Sequence, residues 1–153
     1  MKKALKILFI IICMVTIFFF SSDTADSSTE KSDGLIVRIA EKVLGRKLTD
    51  KEKDSYTDKY FKIVRKTAHF TIYFILGLAV ISLLKEYMII DRKSLIYTVI
   101  FVFLYSCSDE IHQLFVPGRS GEVLDVFIDT LGGTMSSSIY CFICMMKRKR
   151  KSN

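Results

Sequence analysis

Four stretches of this chain are apolar over nearly the length that a lipid bilayer demands: Leu5 to Phe20, Ala68 to Leu84, Leu95 to about Val116, and Val123 to Met146. A hydrocarbon core about 30 Å thick takes about 20 helical residues to cross. Inside it every backbone N–H and C=O must be satisfied by the segment itself, so such runs fold as helices. Half of the 153 residues are hydrophobic and no second stretch of globular length remains. The expected fold is an all-α integral membrane protein, a four-helix transmembrane bundle with a short outer amphipathic helical segment. The chain divides into an N-terminal transmembrane anchor (1–22), an outer polar loop with short amphipathic helices (23–64), a three-span core (65–146) and a basic cytoplasmic tail (147–153).

The first run is the shortest, and Lys2, Lys3 and Lys6 ahead of it also fit the basic start of a signal peptide. No clean small-x-small cleavage site follows in SSDTADSS, so it is read as a retained anchor. Orientation comes from the basic residues, since short segments rich in Lys and Arg stay on the cytoplasmic side. Four spans place the tail Lys147 to Lys151 on the same side as Lys2, Lys3 and Lys6 and the loop with Lys85, Arg92 and Lys93. Both termini are then cytoplasmic, in a multi-pass protein of the cell membrane. The segment from Ser21 to Thr67 faces outward on this topology despite eleven basic residues against nine acidic ones.

That outer segment opens with Ser21 to Asp33, whose Ser- and Asp-rich composition reads as flexible. Leu35, Ile36, Ile39, Ala40, Val43 and Leu44 then recur at helical spacing and stop at Gly45, which predicts a short surface helix. Thr49-x-x-Glu52 matches a capping box and predicts a second helix leading toward the next span. Both helices are expected to pack on the membrane surface.

The stretch from Ser108 to Gly133 sets Asp109, Glu110, Asp125 and Asp129 in or beside segments apolar enough to span. Each ionisable group at membrane depth costs roughly 2.5 to 3.5 kcal/mol on insertion scales, so such groups persist where they pair, line a watery cavity or do chemistry. Counting about 1.5 Å per residue from the cytoplasmic end of each span puts Asp109, His69 and Asp129 at one level, about 21 to 25 Å up. Arg65, His112, Gln113 and Asp125 come out higher, at about 26 to 31 Å. Azimuth agrees, because residues three or four apart share a helix face. Arg65, His69, Tyr73 and Gly77 form one stripe; Tyr105, Asp109 and Gln113 a second; Asp125, Asp129, Gly132 or Gly133, and Ser136 a third. The stripes predict three helices converging on one polar site, packed tightly through small residues beneath it.

Between the last two spans, Pro117 and Gly118 break the helix and Ser120 is placed to cap the next one. Arg119 on that turn is expected to pair with Asp125 or Glu122, and an arginine there also suits an anionic lipid phosphate. His112 is read as an interfacial residue. Cys13, Cys107, Cys141 and Cys144 fall in or near spans and are read as small apolar residues, the CxxC spacing of the last two included. The basic tail lacks a folded domain beside it and is read as a topology determinant, with no nucleic-acid partner. No metal is assigned, since no zinc motif such as His-Glu-x-x-His occurs, and no cofactor is indicated.

The ordered segments FFFSS (Phe18 to Ser22), RKTAHFTIYFILG (Arg65 to Gly77), SDEIHQLFVPGRSG (Ser108 to Gly121) and LDVFIDTLGG (Leu124 to Gly133) resemble the VanZ-like membrane proteins, the family named after a bacterial teicoplanin-resistance protein. The resemblance covers nearly the whole chain. It implies characteristic polar residues at Arg65, Lys66, His69, Tyr73, Asp109, Glu110, Gln113, Arg119, Asp125 and Asp129. Departures fall at Asp23, Ile72 and Ser136, where the family often has Gln, Glu and Gly. It implies antibiotic resistance as a role and establishes no reaction.

Three functions compete on these residues. The polar site binds or shields a cell-envelope component, with Arg65, Lys66, Tyr73, Gln113, Arg119, Asp125 and Asp129 as contacts. Alternatively it is an intramembrane enzyme on a lipid-linked or peptidoglycan-precursor ligand, with His69 as acid or base and Asp109 or Glu110 orienting it. In that enzyme the four carboxylates are also an alternative set of oxygen ligands for magnesium. Lastly, His69, Asp109, Asp129 and Arg119 form an ion network that holds helices in register.

Overall fold

A computed structural model describes residues 2–22, 25–119 and 121–152. Five helices make up the order: α1 (Lys2–Ser22), α2 (Ala25–Leu44), α3 (Asp50–Leu84), α4 (Arg92–Gln113) and α5 (Val123–Ser152). Of these α1, α3, α4 and α5 are long and apolar enough to cross a membrane. The expected all-α membrane bundle is what forms. Asp23 and the proposed cap Ser120 lie outside the described residues.

The bundle is inverted relative to a soluble one. Phe9, Ile12, Phe19, Ile100, Leu104, Phe127, Leu131 and Phe142 point outward, whereas Ser94, Thr98, Ser106, Asp109, Asp129, Ser136 and Ser137 are buried. An apolar outer belt matches contact with lipid, in which large side chains lose nothing by exposure. Helix ends pair in register: Lys6 Nζ donates to Ser82 O and Glu86 Oε1 at one end, and Gln113 Nε2 donates to Ser21 Oγ at the other. Thus α1 and α4 run one way, α3 and α5 the other.

Two expectations for the outer segment change. Residues 25–33, read as flexible, are the first turns of α2. Once Ile36 is buried and the turns around it form, extending the helix spares the nucleation cost that isolated polar sequence faces. The helix that begins at Thr49 does not lie on the membrane surface as a separate piece. It is continuous with the second span, 35 residues in all, with no proline or glycine before Gly77 to bend it. The Asp50 to Lys62 turns therefore project beyond the bundle, and α2 folds back against them. Gly45, at φ +67°, ends α2 in the left-handed conformation. Glu52 accepts from Thr49 N at 2.9 Å and from Arg46 Nη2 at 2.6 Å, completing the capping box and tying the turn.

The closest helix contact is α3 on α5. A Cβ on Gly77 would sit 2.5 Å from Ser136 Oγ and 2.6 Å from Gly133 O, and one on Gly132 would sit 2.5 Å from Phe70 O. Ser136 preserves the small-residue contact at a position where the family often has glycine. Because backbone opposes Gly132, the helices must part to admit any side chain. Gly132→Val is expected to cost about 1–3 kcal/mol, read as a lower unfolding temperature in detergent, while Leu131→Val on the exposed face changes little.

Candidate polar site

Three helices deliver one polar side chain each to a common point. His69 comes from α3, Asp109 from α4 and Asp129 from α5, and one ligand-type atom of each lies within 4.8 Å of the other two. Asp129 is fully buried, Asp109 is 4% exposed and Tyr73, one turn from His69, is fully buried. His69 Nδ1 stands 3.6 Å from Asp129 Oδ2, too long for a hydrogen bond. Ser106 Oγ donates to the same Oδ2 at 3.2 Å. Among the described residues His69 Nδ1, Asp109 Oδ2 and Asp129 Oδ1 are buried without a hydrogen-bond partner, and the Tyr73 hydroxyl lies near Asp109 and Ser106 without a well-formed bond to either. Buried polar atoms are overwhelmingly paired, so this cluster stands apart from the rest of the bundle.

Around this centre runs a second set that is paired. Lys66 Nζ lies against Asp125 Oδ1 and donates to Glu122 Oε2 at 3.2 Å, and Arg65 Nη2 is 3.6 Å from Asp125 Oδ2. Arg119 was expected to pair with Asp125 or Glu122. Those carboxylates take the α3 cations, and Arg119 donates to Phe20 O at 3.0 Å and Gln113 Oε1 at 3.4 Å. The turn arginine thus bonds to the end of α1, whose last turn meets the end of α4 through Ser21 and Gln113.

Glu110 faces the turn as well. Its Oε2 accepts from Glu122 N at 2.8 Å and its Oε1 from Gln113 Nε2 at 3.2 Å, so it holds the start of α5 rather than joining the buried trio. Of the four carboxylates set out as magnesium ligands, Asp109 and Asp129 meet while Glu110 and Asp125 are held elsewhere. His112 stacks on Phe18, ring centroids 4.5 Å apart, with Nε2 3.0 Å from Ser22 Oγ, at the bundle's edge. Ile72 packs against the apolar cluster that includes Ile10, Cys13, Ile17 and Tyr73.

A model of the VanZ/LLP1 family matches residues 6–144, the whole bundle and all of the residues just described. The chain belongs to the VanZ/LLP1 family. No curated protein and no solved structure matches it. Two polar residues of this VanZ/LLP1 site escaped the stripes drawn on the sequence, Ser106 beside Asp129 and Ser21 beneath Gln113. Ser106 is one turn before Asp109, and Ser94, Thr98, Val102 and Ser106, repeating by fours, all prove buried. That smaller stripe was the missed signal.

The paired rim makes a specific demand. Asp125 is buried and faces two cations, so Asp125→Asn leaves Arg65 and Lys66 facing an uncharged amide. The expected loss is about 1–3 kcal/mol, checked by thermal unfolding in detergent. Lys66→Ala, which also relieves the excess cation, is expected to recover part of it when combined with Asp125→Asn.

Proposed function

We propose that this VanZ-like protein carries an outward-facing polar intramembrane site that binds or modifies a cell-envelope component and so lowers teicoplanin susceptibility. The observation carrying the proposal is the convergence of His69, Asp109 and Asp129 from three helices, buried and with hydrogen-bonding capacity unmet. Outward orientation is supported by charge. The end of the bundle opposite the site carries Lys3, Lys6 and the tail from Lys147, which the positive-inside rule keeps cytoplasmic.

Size divides the roles. The centre is nearly closed, with Asp129 and Tyr73 fully buried and only 14% of the His69 side chain exposed, so a lipid-linked component does not fit into it as a whole. The rim is reachable: side-chain exposure is 22% for Arg65, 26% for Lys66 and 44% for Glu122. In this reading Arg65, Lys66 and Arg119 meet an anionic headgroup arriving laterally from the outer leaflet, and the carboxylates hold those cations in place. Tyr73 and Gln113 close the wall beneath it.

One observation favours a chemical step at the same site. An imidazole aimed at a buried carboxylate is the arrangement of a positioned acid or base, and such contacts are often long until substrate binds. Here His69 moves the proton, Asp129 orients it, Asp109 shares the charge, and Glu110 positions the turn. Purified protein incubated with lipid-linked precursors, with and without magnesium, is expected to convert them. Unchanged substrate leaves binding as the function.

The deciding experiment expresses the wild type and Asp109→Asn at matched levels in a Gram-positive host. The wild type is expected to raise the inhibitory concentration of teicoplanin over empty vector, and the variant to abolish the gain with its folded level in the membrane unchanged. A wild type indistinguishable from empty vector rejects the resistance role. A variant that fails to fold assigns the trio to helix register instead.

A further inference from the structure

We infer that His69, Asp109 and Asp129 bind one first-row divalent cation of the zinc or manganese kind. The inference deepens the proposed site, on whose trio it rests, and departs from the sequence reading, in which no metal was assigned.

Three observations carry it. First, the donor set is one imidazole nitrogen and two carboxylate oxygens, the mixture that suits zinc and manganese and ill suits the all-oxygen preference of calcium or magnesium. Second, the atoms are already gathered: all three lie within 4.8 Å of one another, and ligands around such an ion stand about 3 Å apart. Side-chain rotation of about 1 Å closes that gap without moving a helix. Third, the atoms that would point at the ion are those left without partners. Asp129 Oδ1, Asp109 Oδ2 and His69 Nδ1 are buried with no hydrogen-bond partner among the described residues. The fully buried Tyr73 hydroxyl is outside the donor trio and lies beside Asp109, placed to steady that carboxylate at the centre.

Charge is compatible with an ion. As metal ligands the two carboxylates would be ionised and the imidazole neutral, a double negative charge that is costly at membrane depth unless offset. The cations nearby do not neutralise it, since Arg65 and Lys66 face Asp125. A divalent ion balances the two carboxylates. No zinc motif appears in the sequence because the ligands come one from each of three helices, at no fixed spacing.

The test uses the full chain in detergent, stripped with a chelator and titrated with zinc alone or manganese alone. One equivalent per chain is expected. Asp129→Asn and His69→Gln are each expected to weaken binding about tenfold or more, with Cys141→Ser/Cys144→Ser unchanged. Because the trio variants can misfold, the manganese-loaded wild type is also examined by pulsed electron paramagnetic resonance. An imidazole nitrogen coupled to the ion is expected, and it should persist in His112→Gln. No bound ion, no coupled nitrogen, or loss of binding with the cysteines overturns the inference. Resistance without cation binding overturns this inference and keeps the proposed site, whereas cation binding without resistance does the reverse.

Discussion

Everything at the polar site depends on how closely α3 and α5 approach. The contact of Gly132 with the Phe70 carbonyl sits one residue from His69 and three from Asp129, so the glycine fixes the separation of these two polar side chains directly. In lipid there is no hydrophobic drive to press helices together, and dispersion over small residues must do it. A single methyl at Gly77 or Gly132 would push α3 and α5 apart beside His69 and Asp129, and one at Gly133 would press on Val102 of α4. The small-residue seam is thus part of the site.

Above that seam the polar groups separate into two layers with different physics. Asp125 with Arg65 and Lys66, Glu110 with Glu122 N, and Arg119 with Phe20 O and Gln113 form a paired layer near the helix ends. Such a layer meets its desolvation cost with compensating partners and sets the register of α1, the α4–α5 turn and α3. The deeper layer is mostly closed and incompletely paired: Ser106 meets one oxygen of Asp129, while Asp129 Oδ1 and Asp109 Oδ2 lack partners among the described residues. Unmet buried groups cost free energy, so this layer contributes less to register than the paired one above it.

Much of this was legible because a bilayer makes sequence simple. Run length gave the four spans, and depth counted along each helix placed His69, Asp109 and Asp129 together, as they are. Gly45 and the Thr49 to Glu52 box marked the turn between α2 and α3 correctly. What failed has a common cause. Residues 25–33 are helical through propagation from neighbours, and no local composition reports that. On α4 the stripe of Tyr105, Asp109 and Gln113 holds at Asp109 and Gln113, both buried. One turn below Asp109 the buried line passes through Ser106, while Tyr105 points to α1 and donates to Met14 O at 2.6 Å. Partner choice was the least legible, since the sequence puts Arg119 near Asp125 and only the helix arrangement gives that carboxylate to α3.

The position of Ile72 bears on how far the site tolerates change. A glutamate often found there in the family would add a carboxylate to α3, and its absence suggested a thinner set. In this chain residue 72 packs on the apolar cluster that joins Ile10, Cys13 and Ile17 of α1 to Tyr73 and Leu76 of α3. It lies three residues from His69, near the same helix face, so a glutamate there would set a charge between that dry cluster and the polar centre. The convergence of His69, Asp109 and Asp129 forms without it. The isoleucine instead keeps apolar the surface on which α1 is held.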